Sequence, residues 1–247
     1  MFSFFKKSKP ENIAEKFFPF TTDIHSHILP GIDDGSPNLD ASIELIQGLK
    51  SLGVNRSIAT PHVISDLYRN NPQTINKALS TLKNELVSRG IDFELRAAAE
   101  YMLDSSFFEL LQKGEPLMTL KDKIILTEFS YASRPDDPAR HSFEINLAGY
   151  TPILAHPERY PYYYGNNEIY HRFVDLGFML QINLLSLTGH YGKEAAKACH
   201  YMLKNELVSF VATDLHHDKH MMMLQDPRHQ AEFKKHLGHR NWNDYLD

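Results

Sequence analysis

The residues best suited to chemistry begin with His25 and His27, two imidazoles two residues apart at the end of an apolar run. On a strand, alternate residues share a face, so this spacing turns both rings the same way. Imidazole is the commonest metal ligand among side chains, and the pair reads as half of a metal site. The competing reading is two surface histidines at a strand end, since His-x-His alone has little specificity.

The elements that must position further ligands follow from apolar periodicity and turn residues. A first strand is expected over about residues 20–25, then a turn-rich loop, Leu29 to Gly35. A helix opens at Ser36-Pro37, with proline in its first turn, and runs to Gly53. Further strands are expected at 54–59, 91–99, 123–129, 151–155, 178–182 and 207–212. The helices expected with them cover 72–88, 105–112, 138–148, 167–176, 193–205 and 228–237. Continuous alternation with short links predicts one α/β domain, as a closed barrel or a doubly wound sheet. Residues 1–19 read as an N-terminal arm and 20–247 as the domain.

Against that frame of seven strands, residues able to bind metal stand just past the C-terminal ends of all but the sixth. His25 and His27 follow the first, with Asp33 and Asp34 on its loop, and His62 follows the second. Glu100, Glu128 and His156 follow the third, fourth and fifth, and Asp214 and His216 follow the seventh. In a β/α barrel those ends converge on one mouth, where active sites are built. With one aspartate from the loop, five imidazoles and four carboxylates would meet. Converging carboxylates repel one another and desolvate badly unless cations compensate them. With no thiolate in the set, mixed N/O ligation suits Zn, Mn or Fe, and nine ligands exceed the needs of one ion. Two or three divalent ions are expected.

Composition narrows the rest. At 247 residues with 42% hydrophobic and 23% charged, the chain can bury a full core. A net charge of -5 without a Lys/Arg stripe argues against nucleic acid as a partner. The single cysteine, Cys199, excludes a disulfide framework and suits a reducing, cytoplasmic setting. No apolar run reaches the roughly 18 residues of a membrane span. Cys199 is also not followed by the arginine of a Cys-x5-Arg phosphatase loop, because that position is Asn205.

Six ordered motifs carry a resemblance: Asp23-Ile-His-Ser-His-Ile-Leu-Pro-Gly-Ile-Asp-Asp-Gly35, Ala59-Thr-Pro-His62, Ala97-Ala-Ala-Glu100, Thr127-Glu-Phe-Ser130, Leu154-Ala-His-Pro-Glu-Arg-Tyr160 and Ala212-Thr-Asp-Leu-His-His217. Together they resemble the PHP (polymerase and histidinol phosphatase) superfamily, in its bacterial capsular/exopolysaccharide tyrosine-phosphatase branch, from about residue 20 to 220. The resemblance implies a distorted seven-stranded β/α barrel, TIM-like, with a trinuclear centre, manganese being the expected metal and iron or zinc the alternatives. It implies His25, His27, Glu100 and Asp214 around a first ion and Glu100 bridging to a second held by Glu128 and His156. Asp34, His62 and His216 would hold the third. Aspartate at 34, where many superfamily members carry histidine, points to the tyrosine-phosphatase branch.

The activity so implied is hydrolysis of phosphotyrosine on a protein, a polysaccharide-synthesis tyrosine kinase, with a hydroxide bridging the metals as nucleophile. Arg159 is expected to bind the phosphate as a bidentate fork, the competing reading being a surface ion pair with Glu158 or Asp136. Tyr160, among a run of tyrosines, is a candidate wall for the leaving group or a rim-packing residue. A second arginine often found past the last motif is absent. His217, Lys219 or His220 would take its role, or no residue would. A small-molecule phosphatase of the histidinol-phosphate type and a non-catalytic regulatory barrel remain as alternatives. A binuclear amidohydrolase fits less well, because Glu128 stands where that class typically has lysine.

Overall fold

A computed structural model describes residues 18–246; the arm expected over 1–19 lies mostly outside them. Among the described residues nine strands, all parallel, form two sheets. One has the order β1 (Thr22–Asp23), β2 (Arg56–Ala59), β4 (Glu94–Ala97). The other runs β3 (His62–Val63), β5 (Glu100–Met102), β6 (Ile124–Glu128), β7 (Thr151–Ala155), β8 (Met179–Asn183), β9 (Val208–Ala212).

The division into two sheets has a local cause. Pro61 has no N–H to donate, so the ladder of β2 stops at Ala59 and resumes at His62, paired with Glu100. Thus β2 and β3 are one interrupted strand, and β4 and β5 another, bridged by Ala98 N–H to Ala59 O (2.8 Å) and Glu100 N–H to Pro61 O (3.1 Å). At the other side the first and last strands meet without a continuous ladder. They share one bridge, Ser26 with Leu215, and the Asp214 N–H bond to His25 O (2.9 Å). Buried Asp23 completes this seam, accepting from the Thr213 N–H (3.0 Å) and hydroxyl (2.5 Å). The architecture is therefore α/β with parallel sheets and barrel-like, but not a closed seven-stranded ladder.

Alternation along the strands sorts side chains into two layers. Ile58, Ala98, Ile124, Leu126, Ile153, Phe210 and Ala212 belong to an inner core, while Ile125, Leu154, Leu180 and Val211 pack outward under the helices. Continuing the inner parity by two residues from Ala98, Leu126 and Ala212 brings Glu100, Glu128 and Asp214 to the inner face at the strand ends.

Eight α-helices among the described residues cover the sheets: α1 (Leu39–Ser51), α2 (Pro72–Ser88), α3 (Ser105–Lys113), α4 (Pro138–Leu147), α5 (Glu168–Asp175), α6 (Lys193–Lys204), α7 (Asp218–Gln225) and α8 (Pro227–Leu237). The first starts later than expected, because Asn38 and not Ser36 is its N-cap. Ser36 is buried and donates its hydroxyl to Asn38 O (2.9 Å). The start of α2 agrees with its sequence signals, Asn71 and Thr74 forming a capping box of the kind worth about 1 kcal/mol. Sequence reading did not anticipate α7, whose N-cap is an imidazole, His217, in place of the usual short polar side chain. Phe18 and Phe20 pack together, and Phe18 meets Phe233 of α8 edge-on.

Candidate metal centre

At the C-terminal ends of the strands, His25 and His27 point their Nε2 atoms at each other across 3.2 Å. Each ring is held from behind. His25 Nδ1 lies 2.8 Å from Gln181 Oε1, and His27 Nδ1 lies 2.8 Å from Asp33 Oδ2. The Gln181 amide is itself oriented, since its Nε2 donates to Asn183 Oδ1 (2.9 Å). Both Nδ1 atoms therefore carry the proton of the neutral ring, and both Nε2 lone pairs face one point.

Carboxylate oxygens converge on that point. Glu100 Oε2 is 3.2 Å from His25 Nε2 and 3.4 Å from His27 Nε2, and Asp214 Oδ1 is 3.4 Å from each. His62 Nδ1 stands 3.0 Å from Glu100 Oε2 and 2.9 Å from Glu128 Oε1, yet none of these three buried atoms has a partner in hydrogen-bonding alignment. Lone pairs that crowd together without aligning on one another fit ions placed between them. The residues present thus match a divalent-metal centre by the chemistry of their donors.

The charges agree. Burial works against a charge on His25, but the carboxylates of Glu100 and Asp214 outweigh it and raise its pKa. His27 is raised through Asp33, and His62 to about 10 through Glu100, each against its own desolvation. Burial also pushes Glu128 up to about 7, with repulsion from Glu100 adding to it. His156 and His216, where desolvation prevails, fall to about 4. The carboxylates call for positive charge at the centre, which protons or divalent cations can supply.

All nine expected ligands lie around this centre. Their atoms fall into four overlapping groups: His25, His27 and Glu100; His25, His156 and Asp214; His62, Glu100 and Glu128; and His27, Asp34, His62 and His216. The division differs from the one the resemblance implies: His156 is grouped with His25 and Asp214, and His27 also joins Asp34, His62 and His216. Glu128 is grouped with His62, while His156 Nε2 faces Glu100 Oε1 at 2.9 Å. Asp34 is half exposed and lies 3.5 Å from His62 Nε2 and 3.6 Å from His216 Nε2. Asp33 is buried behind His27 and also accepts from the Gly35 N–H (3.0 Å). Only glycine fits at 35, where a Cβ would fall 2.0 Å from the His27 carbonyl oxygen. Two of the candidate ligands sit at left-handed backbone, His156 at φ 36° and Asp214 at φ 50°, the kind of strain that collects at functional sites.

Arg159 does not pair with Glu158 or Asp136. Its Nη1 donates to Asp214 Oδ2 at 2.6 Å, and its guanidinium lies over the rings of Tyr191 (4.1 Å) and Tyr131 (5.1 Å). Glu158 turns inward, accepting from the Asn183 N–H (2.9 Å) and the Ser186 hydroxyl (2.6 Å). A cavity of about 370 Å³ opens above the centre, lined by Arg159, Tyr68 and Tyr131 as well as ligands.

Comparison with known proteins matches residues 21–241 to a family model described as capsular polysaccharide synthesis, CpsB/CapC. The chain belongs to the CpsB/CapC family. Among its relatives, the tyrosine-protein phosphatase YwqE of Bacillus subtilis is 32% identical over 197 residues, covering 80% of this chain and 78% of that protein. The tyrosine-protein phosphatase CpsB of Streptococcus agalactiae is 30% identical over 200 residues, 78% of this chain and 82% of that one. A chain from the crystal structures of B. subtilis YwqE and Streptococcus pneumoniae CpsB, reported as metal-dependent tyrosine phosphatases, superposes with a TM-score of 0.78. It is 30% identical, with 88% of this chain and 87% of that one covered.

Three substrate-binding candidates from the sequence stand elsewhere in this family member. Tyr160 is wholly buried, its hydroxyl donating to Ala155 O (3.0 Å) and accepting from the Phe129 N–H (2.9 Å), so it packs the rim. His217 and His220 do not line the cavity over the centre. His217 caps α7 by accepting from the His220 N–H (3.3 Å), and His220 Nδ1 lies behind His216, accepting its N–H (3.4 Å).

Asp33, which the sequence offered beside Asp34 as a metal-binding residue, instead orients His27, and two further orienting residues, Gln181 and Asn183, were passed over. The sixth strand does reach the centre, through two amides that a search for ligand types ignores. Asn183 Nδ2 donates to Asp214 Oδ2 at 2.6 Å. A signal was available in the alternation of Gln181 and Asn183 at a strand end. Gln181→Ala is expected to lower metal affinity by about 10- to 100-fold, the usual cost of losing a partner that orients a ligating histidine. Metal titration of the stripped protein measures this, and unchanged affinity would dismiss Gln181 as an orienting residue.

Proposed function

We propose that this chain is a metal-dependent phosphomonoesterase that hydrolyses phosphotyrosine on proteins. The observation that carries the reading is the convergence of His25 and His27 Nε2 with Glu100 and Asp214 oxygens on one point beside the Arg159 guanidinium. His25, His27, Glu100 and Asp214 would hold divalent ions there, whose Lewis acidity would be available to phosphoryl oxygens and to a water nucleophile. Glu100, within reach of four imidazoles, is suited to be shared between ions. Arg159 presents a planar donor fork at the cavity, with its charge held in place by Asp214 and two aromatic faces. Phosphate would accept from the donors that Asp214 does not use. As the water oxygen bonds to phosphorus it gives one proton to solvent, the bond to the tyrosine oxygen breaks, and the phenolate, with an ordinary pKa of about 10, takes one proton back from solvent.

The finer points belong to the same reading. The strands are taken as a distorted seven-stranded barrel, with the two interrupted strands counted once each. Two or three ions would be bound, manganese first. The substrate would be a tyrosine kinase of polysaccharide synthesis, met in the cytoplasm. Among the described residues no helix is long and apolar enough to cross a membrane.

The test is a panel of a phosphotyrosyl peptide, phosphoserine and histidinol phosphate, each with Mn, Fe or Zn added to stripped protein. Metal-dependent turnover is expected to be fastest on the peptide. Preference for histidinol phosphate would move the activity to small molecules, and no turnover with metal bound would remove it.

A further inference from the structure

The lining of the cavity above the candidate metal centre is of two kinds. Part of it is the candidate ligands and Arg159. Adjoining them, Leu67, Tyr68, Met102 and Tyr131 contribute apolar surface. These come from neighbouring strands: Leu67 and Tyr68 lie on the turn after β3, Met102 ends β5, and Tyr131 follows β6. They therefore form one continuous arc.

The arc is rigidly built. The turn is closed by paired backbone bonds between Ile64 and Tyr68, 3.0 Å each, and tied to α3's cap by the Ser65 N–H on Asp104 Oδ2 (3.3 Å). Tyr68 stacks on His62 with centroids 5.7 Å apart and planes 13° apart, and Tyr131 on His156 at 5.7 Å and 25°. Each ring thus lies on a candidate ligand. The Tyr131 hydroxyl is committed to His156 Nδ1 at 3.0 Å and the Arg159 guanidinium lies 5.1 Å from the ring centroid, so what the 38% exposed ring leaves to the cavity is apolar surface beside Arg159. At the tip of the turn Leu67 is 73% exposed. A lone exposed leucine is ordinary, but this one overhangs a cavity beside two fixed aromatic rings.

We propose that this arc is the binding subsite for the aryl group of a phosphoester, with Leu67 as its lid-side contact and the phosphoryl group directed at Arg159 and the ligands. The polar end of this assignment rests on the phosphatase reading, whereas the aryl end rests on the arc alone. A phenyl ring would cover apolar surface that an alkyl phosphoester leaves wet, so the arc selects for aryl esters through binding.

Binding to the metal-loaded protein tests this without requiring turnover. Phenylphosphonate is expected to bind at least tenfold tighter than methylphosphonate, and Leu67→Ala to shrink that preference about five- to tenfold. Val87→Ala, 80% exposed on α2 and outside the cavity lining, should leave it unchanged. In turnover, Leu67→Ala should lower the kcat/KM ratio of a phosphotyrosyl over a phosphoseryl peptide by the same factor, through KM. Equal wild-type affinity for the two phosphonates, or a preference untouched by Leu67→Ala, overturns the subsite. A phenyl preference eroded by Leu67→Ala in a protein that hydrolyses no phosphoester upholds the subsite and removes the phosphatase reading.

Discussion

Glu100→Gln is expected to abolish phosphoester hydrolysis, by more than about 10³-fold, and to lower the bound metal content. Glu100 is fully buried, and its two oxygens reach four imidazoles: Oε2 lies near His25, His27 and His62, and Oε1 near His156. No other carboxylate in the cluster meets so many. Glutamine keeps the volume, so packing should survive. It removes a negative charge, however, and replaces one acceptor with an N–H₂ group aimed at lone pairs or cations. Burial acts to raise the Glu100 pKa, but His25 and His62 outweigh it and hold it well below the ordinary value, so the carboxylate is ionised throughout the working range. The amide thus loses a charge that is present at every relevant pH. Metal analysis alongside activity and a melting curve decides the matter, and full metal with full activity would refute the shared role of Glu100.

Arg159→Ala is expected to reduce turnover by about 10²-fold while metal content stays intact. The guanidinium touches the cluster only through Asp214 Oδ2, and Asn183 Nδ2 still holds that oxygen after the arginine is gone. Lysine at 159 should recover little, because an ammonium cannot reproduce the planar fork or its stacking on Tyr191 and Tyr131. The informative comparison is between rate and metal. If both fell together, Arg159 would be a positioning residue for Asp214 and not a phosphate ligand. An unchanged rate on phosphotyrosine would take it out of the mechanism.

Much of the cluster was legible because strand geometry is local. Glu100, Glu128 and Asp214 follow inner-facing residues by two positions, and parity carries over such a step without help from the rest of the chain. The same locality failed where proline intervened: Pro61 divides the second strand, and the expected continuous strand over 91–99 ends at Ala97 and restarts at Glu100. Tyr160 and Tyr131 show the other limit. Both are tyrosines just past a strand. One is buried on Phe129 and Ala155 while the other lines the cavity, a choice made by packing between segments and not by spacing.

The donor set is written in the order of residues: which imidazoles and carboxylates stand at strand ends, and that so many together require cations. How they are aimed is settled by contacts between distant segments. His25 takes its orientation from Gln181, 156 residues away, and Asp214 from Arg159 and Asn183. Hydrogen bonds between segments so distant leave no periodic trace in the chain, because what pairs them is the meeting of strand ends and not the order of residues along any one strand.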